Sequence, residues 1–228
     1  MKKKLLILVV AMVALVTGHV PAAAQVAPYK FDIGAQLGMS GYIGDASNSN
    51  PFKHPGFDGE VSMRYISNVR WAFRGVLSCL GLSGNTADVP NVLPDGRQFA
   101  FTSTVYGLDV RAEFNFLPYG IGETYKQLRR ISPYLTLGVG VNMASSGGST
   151  AFAPTLPMGF GVKYKLSERW NLGAEFTMTK VFGDKVDGLA DLNGIKTSLY
   201  RNTDWISRIT IGISYEFGKR CETCHYVD

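Results

Sequence analysis

The sequence predicts an all-β fold: an eight-stranded antiparallel transmembrane β-barrel of the outer-membrane type. Three observations predict it. After residue 25 no stretch reaches the ~18 consecutive apolar residues of a spanning helix, while apolar and polar residues alternate with period two through eight segments. The apolar faces of the segments are free of charge, and the opposite faces taken together carry both signs. The connections alternate between short turns and long, Gly-, Asn- and Asp-rich loops.

Residues 1–24 read as an export signal. Lys2, Lys3 and Lys4 form a basic start, Leu5 to Val16 an apolar stretch, and Ala22-Ala23-Ala24 a small-residue cleavage site that would leave Gln25 first. The apolar stretch is shorter than the ~20 residues a helix needs to cross a bilayer. The net charge of +5 falls to +2 without that segment, 20 basic against 18 acidic residues, so no nucleic-acid partner is expected. Charged residues are 18% of the chain and 26 residues are glycine, a composition unlike that of disordered chains or charge-rich helical bundles. The expected organisation is a signal over 1–24, a barrel over 25–217 and a tail over 218–228.

The first strand, 30–41, sets Phe31, Ile33, Ala35, Leu37 and Met39 against Asp32, Gly34, Gln36, Gly38 and Ser40. The second, 57–66, sets Phe57, Val61, Met63 and Tyr65 against Asp58, Glu60, Ser62 and Arg64. The third, 71–82, is the least regular: Trp71, Phe73, Leu77 and Cys79 oppose Arg74 and Ser78, but Val76 and Leu80 share the polar side. The fourth, 101–117, sets Tyr106, Leu108, Val110, Ala112, Phe114 and Phe116 against Asp109, Arg111, Glu113 and Asn115. In the fifth, 132–143, Leu135, Leu137, Val139 and Val141 oppose Thr136, Gly138, Gly140 and Asn142. In the sixth, 155–165, Leu156, Met158, Phe160, Val162 and Tyr164 oppose Gly159, Gly161, Lys163 and Lys165. The seventh, 170–179, opposes Leu172, Ala174, Phe176 and Met178 to Asn171, Glu175 and Thr177. The eighth, 205–217, opposes Ile209, Ile211, Ile213, Tyr215 and Phe217 to Arg208, Thr210, Ser214 and Glu216.

A soluble sandwich would have to bury those charged faces or expose the apolar ones, whereas a barrel in lipid puts each where it belongs. A charge on the lipid face costs about 2–4 kcal/mol at the midplane. Seven acids (Asp32, Asp58, Glu60, Asp109, Glu113, Glu175, Glu216) and six bases (Arg64, Arg74, Arg111, Lys163, Lys165, Arg208) are assigned to the interior. Pairing of Arg64, Arg111 and Arg208 with acids such as Glu60, Glu113 and Glu175 is expected, because unpaired buried charge is costly. Eight strands leave an interior that side chains fill, so a closed lumen rather than a channel follows.

The turns near 67–69 and 167–168 are short, and the loops 42–56, 83–100 and 180–204 are long. That asymmetry places both termini and the short turns in the periplasm, and the long loops outside. The connection 118–131 departs from it, being long for a periplasmic turn and basic at Lys126, Arg129 and Arg130. Tyr65, Trp71, Phe116, Tyr164, Trp170, Tyr215 and Phe217 fall at one set of strand ends; Phe57, Phe101, Phe182 and Trp205 fall at the other. Two aromatic belts are what amphipathic rings form at two lipid–water interfaces.

Catalysis is not expected. The histidines are His19, His54 and His225, and only His54 could reach the outer leaflet; Asp45 and Ser47 lie near it in a loop of ordinary solvated composition. A lipid-modifying hydrolase would need a nucleophile and a base held together. Cys221-Glu222-Thr223-Cys224-His225 matches the c-type haem attachment pattern. The tail offers no room to enclose a haem, so no cofactor is expected; a Cys221–Cys224 disulfide or thiol pair is, with redox or metal capture as the alternative. Lys126, Arg129, Arg130, Lys219 and Arg220 form a candidate basic contact for a partner.

Thr210-x-Gly212-x-x-Tyr215-x-Phe217 resembles the signal that barrel-assembly machinery reads in a last strand. With Gly41-Tyr42-Ile43-Gly44-Asp45, the strand count and the basic cysteine-bearing tail, the chain resembles the PorG-like outer-membrane barrels associated with the type IX secretion system. That resemblance implies a non-enzymatic accessory barrel that contacts a periplasmic ring built from a lipoprotein and its partner, through 118–131 and 218–228. The other reading is a general small barrel that supports the envelope or accompanies a different outer-membrane assembly.

Overall fold

The computed structural model describes residues 27–43, 55–85, 100–121, 128–146, 149–182 and 205–220. They form eight strands: β1 (Tyr29–Ile43), β2 (Gly56–Ile66), β3 (Trp71–Asn85), β4 (Ala100–Asn115), β5 (Ile131–Ser146), β6 (Ser149–Lys165), β7 (Trp170–Val181) and β8 (Trp205–Lys219). Each pairs antiparallel with its sequence neighbour, and β1 closes on β8 in register from Tyr29↔Lys219 to Ile43↔Trp205. Closure leaves no sheet edge, the condition lipid imposes on any strand that crosses it. The fold class read from the alternation is thus the fold observed.

Seven of the eight strands run longer than the apolar alternation indicates; β4 instead stops at Asn115, so Phe116 and Leu117, expected to end the fourth strand, begin the following connection. The largest difference lies between β5 and β6, where residues 144–154 read as a connection; they instead continue the ladder to Ser146↔Ser149. Small Ala, Ser and Gly residues carry little strand signal, yet backbone hydrogen bonding extends a hairpin whatever the side chains. The long-loop segments 44–54, 86–99 and 183–204 lie outside the described residues.

The outer face is the predicted apolar one. Leu37 is 63% exposed, Leu108 56%, Val139 65% and Ile211 60%, values that only a lipid surround makes reasonable. At the turn end the belt rings touch one another: Phe31 lies 5.7 Å from both Tyr65 and Phe217, Trp71 4.9 Å from Phe114, and Trp170 5.1 Å from Tyr215. Between this belt and Lys180 at the loop-end rim, no outward side chain among the described residues is charged.

The β2–β3 turn is short because Asn68 satisfies it: its Oδ1 accepts from the Arg70 and Trp71 amides, each at 2.8 Å. Glycines make the wall tight. A Cβ on Gly38 would stand 1.9 Å from the Ile209 carbonyl oxygen at the β1–β8 seam. One on Gly140 would stand 2.2 Å from Asp109 Oδ1, so glycine there leaves room for an inward carboxylate.

Candidate functional site

All thirteen charged residues assigned to the interior from the alternation are buried inside the barrel. Their row structure poses a problem that the opposite wall solves. Arg64, Arg74 and Arg111 stand side by side on β2, β3 and β4, in register as Arg64↔Arg74 and Arg74↔Arg111. Like charges directly opposite repel, and two acids neutralise the row. Glu113 of β4 accepts from Arg64 Nε at 2.9 Å, lies 2.8 Å from Arg74 Nε and also bonds Lys163 of β6. Glu175 of β7 accepts from Arg74 Nη2 at 2.5 Å and from Arg111 Nη1 at 3.0 Å, crossing the lumen from wall to wall.

Tyr134 of β5 donates its hydroxyl to Glu175 at 2.5 Å, and Thr177 donates to the same carboxylate at 2.9 Å. Arg111 also reaches Asp109 at 2.7 Å, two residues along its own strand and therefore on the same face. Toward the turn end Arg64 donates to Asp32 at 2.6 Å, and Asp32 accepts from Ser214 at 2.6 Å and Asn171 at 3.0 Å. Asn171 then donates to Glu216 at 3.1 Å, which pairs with Lys165 at 2.6 Å. A separate group near the loop end joins Arg208 to Asp58, at 2.7 and 2.9 Å, and to Glu60. The expected pairing of Arg64, Arg111 and Arg208 with Glu113, Glu175 and Glu60 is present; the central place of Arg74 is the addition.

Two features were not legible from charge patterning. The loop end of the interior is apolar: Tyr42, Leu80, Leu82, Val105, Ala144, Ala153, Val181 and Ile206 form one buried cluster. It explains the irregular third strand, whose Leu80 points inward because this stopper needs it; inward parity near each strand's loop end was the available signal. At the turn end, the connection after β4 folds back under the lumen. Tyr119 pairs as a bridge with Arg129, donates its hydroxyl to Asn171 at 2.8 Å and lies under Lys165, whose Nζ is 5.4 Å from the ring centre. Burial pushes its phenol well above the ordinary range, so it stays a neutral donor. Two cavities among the described residues, one beside Arg64, Lys163 and Asn171 and one beside Tyr119 and Lys165, are about 20 and 30 Å³, the size of one or two waters each. The described interior is therefore stoppered twice and bridged between.

The candidate partner-contact residues divide. Arg129, Arg130 and Lys219 are exposed at the turn end. Arg220 is half-buried and donates to the backbone carbonyls of Ile66 and Ser67, clamping the chain end across the β2–β3 turn. Lys126, Cys221 and Cys224 lie outside the described residues, as do all three histidines. Cys79 is free and faces outward on β3.

The chain belongs to the outer membrane protein beta-barrel domain family, which matches residues 9–217. Among solved structures it is similar to Neisserial surface protein A, with a TM-score of 0.52 at 17% identity over 82% of this chain and 97% of that one. It is also similar to the attachment invasion locus protein Ail of Yersinia pestis, with a TM-score of 0.47 at 16% identity over 83% of this chain and 99% of that one. OprG of Pseudomonas aeruginosa gives a TM-score of 0.47 at 13% identity over 86% of this chain and 99% of that one. No curated protein sequence matches the chain. Family and fold together assign it to the outer membrane.

Proposed function

We propose that the protein is a non-enzymatic, non-conducting barrel that serves the outer membrane as a structural or accessory element. One observation carries the reading: the ion network spans seven of the eight strands and reaches β5 through the Tyr134 hydroxyl, in a lumen already stoppered by the Leu80–Val105–Ile206 cluster above and Tyr119 below. A transporter interior would instead need a continuous wet path lined by groups a solute could visit. Hydrolysis would need a base beside a nucleophile, and the lumen carboxylates are engaged by arginine and lysine. The short turns and both ends of the barrel chain lie together, which supports a periplasmic setting for that end with the long loops outside.

A second reading is a PorG-like role beside a type IX secretion system, with the turn end meeting a periplasmic lipoprotein ring. The exposure of Arg129, Arg130 and Lys219 at that end favours it, because a protein surface of opposite charge could dock there. Two measurements separate the readings. Liposomes carrying the purified protein should swell no faster in a small sugar than empty ones; fast swelling overturns the sealed barrel. Crosslinking and pulldown from native membranes should recover a ring lipoprotein if the secretion role holds, and its absence leaves the general envelope role.

A further inference from the structure

We infer that the turn end of this barrel is a cationic collar that recruits the headgroups of anionic glycerophospholipid from the leaflet on that side. The inference goes beyond the sealed-scaffold reading and does not depend on it. Among the described residues, nine charged side chains lie outside the lumen: Lys30, Arg70, Arg129, Arg130, Glu168, Arg169, Lys180, Lys219 and Arg220. Among them only Lys180 stands at the loop end, so the described turn end carries seven cations against Glu168, a net +6; in sequence, segments 122–127 and 221–228 add Lys126 against Glu123, Glu222 and Asp228, and the end stays cationic.

The cations are spread around the circumference. Lys30 and Lys219 stand at the β1–β8 foot, where Tyr29 pairs with Lys219. Arg70 stands beside β4, its carbonyl accepting from Asn115 N at 2.7 Å. Arg130 stands beside β6, accepting from Lys165 N at 2.7 Å, and Arg169 beside β8, accepting from Glu216 N at 2.8 Å. Their height is also uniform, because each adjoins an outward belt residue: Lys30-Phe31, Arg70-Trp71, Arg130-Ile131, Arg169-Trp170, and Lys219 two past Phe217.

A ring buried at the lipid interface fixes the flanking cation at headgroup depth. Arg169 shows how one is held. Its guanidinium donates to Tyr215 at 2.7 Å and to Tyr29 at 3.3 Å while remaining exposed. A docked protein meets one patch on one side, whereas annular lipid meets the whole perimeter. An even collar at one depth therefore fits phosphate headgroups better than a protein surface. The long loops add no matching charge at the other end: segments 44–54, 86–99 and 183–204 hold seven aspartates against five lysines and arginines.

The test is lipid selectivity of the full-length barrel in phosphatidylcholine bilayers, read by electron spin resonance from trace spin-labelled phosphatidylglycerol and phosphatidylcholine. The motionally restricted fraction should favour phosphatidylglycerol by about fivefold, the factor one interfacial cation supplies. It should fall as salt is raised. The combined variant Lys30→Gln, Arg70→Gln, Arg130→Gln, Arg169→Gln, Lys219→Gln, which removes every cation adjoining the belt and is checked for folding by heat-modifiable gel mobility, should bring the ratio to near one; Lys180→Gln should leave it unchanged. A wild-type ratio near one overturns the collar, as does one insensitive to salt, which decides the matter even if the combined variant fails to fold. A folded combined variant that keeps the ratio but loses a crosslink to an envelope protein assigns the cations to protein docking and also overturns it.

Discussion

Removing the Glu113 charge should destabilise the lumen strongly, and its consequences can be traced cation by cation. Glu113 is buried and touches three cations, Arg64, Arg74 and Lys163. In Glu113→Gln, Arg64 keeps Asp32 at 2.6 Å and Arg74 keeps Glu175 at 2.5 Å. Lys163 keeps only the face of the Tyr134 ring, 4.3 Å from Nζ. One buried ammonium is thus left without a counter-charge, a change that costs about 3–5 kcal/mol. For a chain of this size, 1 kcal/mol moves a midpoint by about 2–4 °C, so the unfolding temperature should fall by about 6–20 °C. The assay is loss of the heat-modifiable band against temperature in one detergent. The double variant Glu113→Gln, Lys163→Met removes the orphaned charge together with its partner and should recover most of the loss. A Glu113→Gln barrel that melts with the wild type, or a double variant that melts no higher than the single, would rule out an orphaned Lys163 as the source of the loss.

Other perturbations address the lipid face, the seam and the topology. Leu108→Arg places a charge on the outward face of β4 at a 56% exposed position, and it should cost about 2–4 kcal/mol in refolding into lipid vesicles; a cost near zero would take that face out of the membrane. Gly38→Ala drives a Cβ to 1.9 Å from a carbonyl of the closing strand, so a loss toward the upper part of about 1–3 kcal/mol is expected in the same assay, while an unaffected barrel would mean a looser β1–β8 seam. With the native cysteines replaced, a cysteine at Ser49 should react with an impermeant maleimide on intact cells and one at Asn68 only after lysis; the reverse pattern would invert the topology.

The sequence spoke most clearly where side chains have two solvents. Lipid outside and a walled interior make the outward residue apolar and the inward one polar, so Asp109, Arg111 and Glu113 reveal their face by alternation alone. It spoke least where that contrast lapses. Leu80 and Val105 point inward yet are apolar, because the stopper excludes water as lipid does, and parity rather than polarity is the only clue. Residues 144–146 and 149–154 are mostly small and patternless, so hydrogen bonding decides their structure. Tyr119 and Arg220 sit in basic stretches that read as exposed contacts. The chain spends Tyr119 on closing its own mouth and Arg220 on the carbonyls of Ile66 and Ser67, choices that depend on distances no local pattern encodes.

Single-channel recording tests most directly whether the lumen is shut. Full-length protein, with insertion into the planar bilayer verified by protection from added protease, should leave the current at the level of the bare membrane across both polarities, while a porin added to the same bilayer opens in steps. Steady, reproducible opening steps from the inserted wild-type barrel would contradict the account, because a path for ions could exist only if the Arg74–Glu175 bridge and both stoppers were absent from the working protein.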